Sequence, residues 1–406
     1  MATPGTIELR LADLGRILTG RTPPSEVSAY FGAGCPFVTP SDMREQKYIR
    51  ETERQLSDDG RTLLARCSVP AGSVMVSCIG WQMGKVALTD RESVTNQQLN
   101  TIVPNERVLP DYLYYSLCTR RDELKRLGSV GTRTPIVNKS VFSSLKIQVP
   151  SLAAQRRIVD VLSPYDDLIE NSERRIRALD EMARSLYQEW FVAFRFPGCD
   201  HATRTASSMG PIPKTWRAER FGALVRETRQ GVPKGPLPDG PTPLVGLEHI
   251  PRRSLALDDW EDVTELGSNK LRFEAGEILF GKIRPYFHKV SIAPFAGVCS
   301  ADTFVLSSID PNQSSYVRSV ASSDQFVAHA SAAANGAKMP RASWDVMAAF
   351  PVAVPPPALL SSFARVVEPW LADQQCLVFQ IHNLRKTRDL LLPRLLSGQL
   401  SGSGAA

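Results

Sequence analysis

A heptad pattern that occurs twice constrains this chain more than any other feature. Ile158, Leu162, Tyr165, Ile169, Ser172, Ile176, Leu179, Ala183, Leu186 and Trp190 recur at alternating four- and three-residue steps, which places them along one seam of a helix. The spacing returns in Phe363, Val367, Trp370, Gln374, Leu377, Ile381, Leu384, Arg388, Leu391 and Leu395, each 205 residues later (363 − 158). A helix over 158–190 is about 50 Å long, too long for the interior of one small domain. Its seam needs a partner, and the second copy supplies one. The contact is expected from Leu162, Ile169, Ile176, Leu179 and Leu186 on one side and Val367, Leu377, Ile381, Leu384 and Leu391 on the other. Pro164 and Pro369 fall inside the seams, and an interior proline costs about 3 kcal/mol. The expected solution is a short helix ending near Leu162 and a long one starting at Pro164, with Ser163 as its cap, which trims the rod to roughly 40 Å.

The repeat extends beyond the helices. Leu14-Gly15 aligns with Phe221-Gly222, and 38–43 with 245–250, at an offset of 207 (222 − 15). Ala71-Gly72 aligns with Ala275-Gly276 and Lys85-Val86 with Lys289-Val290 at 204 (276 − 72), and Gly131, Pro135, Val141, Val149 and Ile176 align with Gly336, Pro340, Val346, Val354 and Ile381 at 205 (340 − 135). Such near-constant offsets mark an internal duplication. Short apolar runs between Gly and Pro punctuation, plus one amphipathic helix from Pro110, make each globule α+β. The expected organisation is a globule at 1–150, a helix at 151–196, a polar Gly/Pro-bearing linker at 197–214, a second globule at 215–355 and a second helix at 356–400. Antiparallel packing of the helices would give a pseudo-twofold object with the globules at opposite ends; parallel packing would put both at one end, and the pattern permits either.

Catalytic signatures are weak. Pro110-Asp111 followed by Glu123-Leu124-Lys125 spells a Mg²⁺ nuclease pattern, but that chemistry needs the Glu and Lys on a strand, and here they read as helix, with Tyr316 taking the place of Asp111 in the second repeat. No phosphate-binding glycine loop follows a strand. The five His and seven Cys show no metal-ligand spacing and no C-x-x-C pair, so the cysteines read as small hydrophobes of a reducing, cytoplasmic protein. No metal or cofactor is expected in this chain. The N-terminus lacks a signal peptide and no apolar run reaches membrane-spanning length.

What remains is a matched pair of polar loops. In the first globule Arg21, Thr22, Arg44, Lys47, Trp81, Gln82, Lys85, Gln97, Gln98 and Arg133 offer cations for phosphates and amide or guanidinium groups for base edges. In the second Gln230, Lys234, His249, Arg252, Arg253, Lys282, Arg284, Tyr286, Lys289, Lys338 and Arg341 do the same. A net charge of +6 permits a polyanionic partner without requiring one. A structural adaptor whose loop cations only solubilise it is the rival reading; steep salt dependence of duplex binding separates the two.

The segments 37–43 and 244–250, the Gly131-Thr132-Arg133-Thr134 loop, the stretch Val149-Pro150-Ser151-Leu152-Ala153-Ala154-Gln155-Arg156-Arg157-Ile158, and the helix ends 186–191 and 388–398 resemble the specificity subunits of Type I restriction-modification enzymes. The second repeat departs from the pattern, with Ser361-Ser362-Phe363 where the first has Arg156-Arg157-Ile158. The resemblance implies two target-recognition domains, each reading half of a split double-stranded DNA site, separated by two long helices in an antiparallel coiled coil. It also implies two methyltransferase subunits carrying S-adenosylmethionine, and motor-nuclease subunits for cleavage, around a chain that is itself non-enzymatic. Another methyltransferase-containing phage-defence assembly would use the same DNA-reading role.

Overall fold

The computed structural model describes residues 6–400 apart from 25, 45, 81–82, 130–133, 239 and 335–338. It divides into two compact units, Met1–Glu170 with Leu384–Ala406, and Asn171–Asn383. Each contains one mixed α/β globule and part of both long helices.

In the first unit Ile7–Arg10 pairs antiparallel with Lys146–Val149, closing the globule on the strand that feeds the first long helix. A five-stranded sheet runs in the order Gly15–Thr19, Leu99–Pro104, Val74–Ser77, Val86–Thr89, Tyr48–Ile49, and a four-stranded sheet in the order Gln55–Leu56, Phe31–Val38, Ser93–Thr95, Ser68–Val69. Val74–Ser77 and Val86–Thr89 are buried along their whole length, which explains why they read as continuous apolar runs and not as alternation. The helix Pro110–Cys118 packs its buried Tyr112, Leu113, Tyr115 and Leu117 into the same core.

The second unit repeats the plan. Arg217–Arg220 pairs with Pro351–Val354, one sheet runs Val225–Thr228, Thr303–Ser308, Ile278–Gly281, Val290–Ile292, and another Gly231–Val232, Lys270–Phe273, Gly297–Ser300, Thr242–Val245, Glu261–Val263. Individual hydrogen bonds repeat as well. The Gly72 N–H donates to Thr89 O at 2.9 Å and Gly276 N–H to Ala293 O at 2.8 Å; Gly80 N–H donates to Pro135 O at 2.9 Å and Arg284 N–H to Pro340 O at 2.8 Å.

These equivalences move two of the sequence alignments. The Tyr112 hydroxyl donates to Gln148 O and the Tyr316 hydroxyl to Ala353 O, so Tyr316 corresponds to Tyr112, and Ser315 stands where Asp111 does. Leu11 N–H bonds Leu145 O and Phe221 N–H bonds Phe350 O, each opening a 3-10 turn that ends at Leu14 or Leu224. Leu14 therefore matches Leu224, not Phe221; aligning glycine on glycine skipped a three-residue length difference.

Both long helices are continuous. Leu152–Tyr187 holds Pro164 inside it and passes into a π-helical turn, Gln188–Val192; Pro357–Leu396 runs through Pro369. At 36 residues the first measures about 54 Å, longer than the trimmed rod expected from sequence. The expected break at Pro164 is absent because Pro164 and Pro369 sit on exposed faces, where the carbonyl left without its N–H partner meets water, while Leu162, Asp166 and Ile169 around Pro164 are anchored by burial. Packing outweighs the local cost.

Within each unit the two helices run antiparallel. In the second, the Phe191 and Phe363 rings meet edge to face at 4.8 Å, and further along Gln374 Nε2 donates to Ile176 O at 3.2 Å and to Asp180 Oδ1 at 2.9 Å. In the first, Leu162 shares a core with Leu392 and Leu395, and Arg388 donates to Asp166 at 2.7 Å. The seam positions Ile169, Ile176, Val367, Leu377 and Ile381 are buried, and Leu179, Leu186, Leu384 and Leu391 partly so.

The segment read as a linker is folded. Arg204–Ser207 and Gly210–Pro213 form a hairpin, and Ile212 and Trp216 enter the second core. Its polar, Pro- and Gly-rich sequence carries a turn and a largely exposed strand, and Ile212, Pro213 and Trp216 form the buried side.

The Asp166–Arg388 pair is buried, with side-chain exposures of 5% and 14%. Removing one partner of such a pair strands the other charge, so Arg388→Met should destabilise the first unit by about 3–5 kcal/mol in chemical denaturation of the full chain. A loss under about 1 kcal/mol, as for an exposed pair, would contradict this placement.

Candidate nucleic-acid interface

The first unit gathers several of its polar residues at the ends of neighbouring strands. Arg21 N–H donates to Thr95 O at 2.9 Å, the Thr22 hydroxyl donates to Gln97 Oε1 at 2.5 Å, and Asn96 Nδ2 donates to Gln98 Oε1 at 3.0 Å. Cys78 N–H bonds Gln98 O, which brings in the 78–85 loop, and Lys85 follows it with its N–H on Ser77 Oγ at 2.9 Å. The turn bearing Arg44 starts beside Asn96, whose N–H donates to Val38 O. Asp42 braces that turn, accepting from Thr39 N–H, Thr39 hydroxyl and Glu53 N–H at 2.7–2.8 Å. Arg21, Arg44 and Gln97 are exposed. Trp81, Gln82 and Arg133 lie outside the described residues.

Lys47 is a correction to the sequence reading. It is 6% exposed, its ammonium lies 2.7 Å from Asp111, and it donates to Ser163 Oγ at 3.1 Å and Tyr115 hydroxyl at 3.3 Å. Tyr115 in turn donates to Asp166. Burial and the carboxylates push its phenol far above the ordinary tyrosine range, so it stays a donor. This network ties the globule to both long helices of the unit. It also occupies Asp111, while Glu123 and Lys125 lie on the helix Arg121–Gly128 with Glu123 paired to Arg120 at 2.9 Å. No cluster of three or more metal-ligating side chains occurs among the described residues.

In the second unit Lys282, Arg284, Tyr286 and Arg341 come together. Ala342 N–H bonds Lys282 O at 2.9 Å, Arg284 N–H bonds Pro340 O at 2.8 Å, and Ile283 bridges to Arg341. Arg341 pairs with Asp302 at 3.3 Å. The Lys282 ammonium donates to Ala301 O and sits 4.6 Å over the Phe304 ring, where burial lowers its pKa. The Arg252 guanidinium covers Phe287 at 4.2 Å. Gln230 and Lys234 sit on a different edge, beside Lys270–Phe273: Gln230 O accepts from Arg272 N–H and Lys234 N–H donates to Asn269. Lys338 lies outside the described residues.

Two further expectations change here. His249 is 8% exposed, and its Nδ1 accepts from Gly246 N–H at 3.0 Å; it locks a turn. Lys289 donates to Leu247 O, and burial followed by the nearby Arg252 lowers its pKa. Arg253 is tied to Asp324 at 2.8 Å and to the first long helix through Arg184, whose Nη2 donates to Arg253 O. The buried braces Asp42, Asp166 and Asp180 carry no local sign of their role in the sequence; the signals for two of them are their partners, Arg388 and Gln374, polar residues at seam positions.

The fold defines a duplicated α/β protein whose repeats each carry polar loops on a rigid globule and share long paired helices. Residues 6–181 match the family described as Type I restriction modification DNA specificity domain. The chain is 26% identical to the Type I restriction enzyme MjaIX specificity subunit of Methanocaldococcus jannaschii over 96% of this chain and 92% of that one. It is 35% identical to the Type I restriction enzyme HindI specificity subunit of Haemophilus influenzae over 40% of this chain and 36% of that one. The crystal structure of the Type I restriction-modification system S subunit from M. genitalium shares the fold, with a TM-score of 0.50, 14% identity and 96% of both chains covered. The match over residues 6–181 and the similarity along almost the whole chain both point to the specificity subunits of Type I restriction enzymes as the proteins this chain resembles. No helix among the described residues is long and apolar enough to cross a membrane.

His288 gives a pH test of the second unit. Its ring is buried, with Nε2 2.8 Å from Ser322 O and Nδ1 3.4 Å from Asp324, and burial lowers its pKa below the ordinary 6.5. A depressed folded pKa means the unfolded chain takes up the proton first. The stability from His288 is therefore complete above 6.5 and is lost as pH falls from there through the folded value. His288→Asn, which tolerates the left-handed backbone at φ 54°, should flatten that acidic decline in urea titrations. An unchanged pH profile would remove His288 as its source.

Proposed function

We propose that this chain is the DNA-addressing subunit of a Type I restriction-modification complex. Each unit reads one half of a bipartite duplex site, and the paired helices act as the ruler that sets the unspecified gap. The observation that supports this best is the duplicated placement of the loops: those of the two units hang from the same hydrogen bonds, Ser77 N–H to Lys85 O and Gly80 N–H to Pro135 O in the first, Gly281 N–H to Lys289 O and Arg284 N–H to Pro340 O in the second. Repeated presentation of one loop suits two similar half-sites, since a fixed scaffold must offer the same groove face twice. Exposed cations supply phosphate contacts and on-rate, and the amide and guanidinium groups supply base-edge readout.

The full-length similarity to MjaIX supports the rest of the assembly. Two methyltransferase subunits dock on this chain and bring S-adenosylmethionine and the chemistry; motor-nuclease subunits join for cleavage. The chain itself is the non-enzymatic, cytoplasmic component. The engagement of Asp111 by Lys47 at 2.7 Å argues against a nuclease built on Asp111, Glu123 and Lys125.

Exchanging residues 216–354 for the same region of a relative with a different site should change one half of the methylated sequence and leave the other half and the gap intact, as read by methylation mapping in a host carrying the partner subunits. A change in both halves would contradict the assignment of one half-site to each unit.

A further inference from the structure

We propose that the turn 284–288 is a preorganised probe that presses the Tyr286 ring against the bases of the second half-site, an inference that rests on the DNA-addressing function. The turn has left-handed backbone at both ends. Arg284 has φ 49° and His288 φ 54°, while the equivalent positions of the first unit are Gly80 at 91° and Gly84 at 86°. Glycine adopts this geometry freely; arginine and histidine pay for it. The scaffold demands the same backbone in both units, and the second keeps it with side chains in place of hydrogen atoms.

The surroundings hold the turn in place. Pro285 is buried, the His288 ring is buried on Ser322 O, Phe287 is half-buried under Arg252 at 4.2 Å, and Arg284 N–H is bonded to Pro340 O. Tyr286 alone points out: it is 55% exposed, its ring standing edge-on to Phe287 at 4.9 Å. A rigid exposed aromatic costs little entropy to immobilise. The neighbouring Phe287 ring carries the Arg252 guanidinium at 4.2 Å and the Arg284 guanidinium at 5.9 Å, so the turn also holds cations for the phosphates beside the bases it touches. Strain stored at two non-glycine residues around one exposed ring is the pattern of a functional turn and not of a solvent loop.

The test uses the full chain in complex with its methyltransferase partner and a fluorescently labelled duplex carrying the bipartite site mapped by methylation in the host. A second duplex has the second half-site scrambled. Tyr286→Ala should weaken binding to the intact site by roughly tenfold, as for loss of one good base-edge contact in a duplex groove, with Tyr286→Phe near wild type and the thermal midpoint unchanged. The slope of log affinity against log salt should stay constant, because no phosphate contact is lost. On the scrambled duplex, Tyr286→Ala and wild type should bind alike. Equal affinity of Tyr286→Ala and wild type for the intact site would overturn the base contact, as would a flattened salt slope. Failure of the wild-type complex to distinguish the two duplexes would instead overturn the DNA-addressing function itself.

Discussion

Burial of one apolar seam against another is the interaction on which both units depend. Each globule contributes a terminal strand that leads directly into a long helix, Lys146–Val149 into Leu152–Tyr187 and Pro351–Val354 into Pro357–Leu396. Neither helix can hide its seam alone. In the first unit Leu162 meets Leu392 and Leu395 inside the globule's own core, and in the second Ala183, Tyr187 and Phe191 share a core with Phe363, Val367 and Leu371. Polar groups then remove the freedom to slide. Asp166 with Arg388 in one unit, and Asp180 with Gln374 in the other, are satisfied in a single register, and a shift by one turn would bury them unpaired.

The same polar points anchor the globules. Asp166 is reached by Tyr115, which also meets Lys47, and Asp180 accepts from the Ser254 hydroxyl at 2.6 Å and from Leu255 N–H at 3.3 Å. The two units solve one problem with different chemistry: an ion-pair network in the first, hydroxyl and amide donors around a carboxylate in the second. Burial raises the Asp180 pKa, outweighing the hydrogen bonds it accepts and the charge of Arg184. Loops that must address a ligand with fixed geometry gain from being carried on globules braced in this way.

Much of this architecture was legible in the sequence because it is periodic. A 3.5-residue repeat survives in any readable heptad, and offsets near 205 locate a duplication whatever its fold. What escaped was set by distance along the chain. Lys47 reads like any loop cation until Asp111 and Ser163, 64 and 116 residues away (111 − 47, 163 − 47), close around it. His249 and Lys289 are taken by backbone groups of turns that no local pattern announces. Pro164 departs from expectation for the opposite reason: its local cost is real, but exposure on the solvent face lets the packed seam override it. The polar segment before Trp216 hides a hairpin because its buried residues, Ile212 and Pro213, are adjacent at the end of one strand and give no alternation to see.

The site follows the same division. Residues grouped by strand ends, Arg21, Thr22, Gln97 and Gln98, or Lys282, Arg284, Tyr286 and Arg341, come together because the sheet order places their loops side by side, and matching loops in the two repeats pointed to them. Which cations remain available depends on neighbours that only the folded chain supplies.

In the proposed function two similar units read two halves of one site across a fixed gap. Methylation mapping of a host that carries this chain with its methyltransferase partner tests it most directly. The expected result is a single bipartite motif, two short specific halves flanking a gap of constant length. A continuous motif, or a gap of variable length, would contradict it.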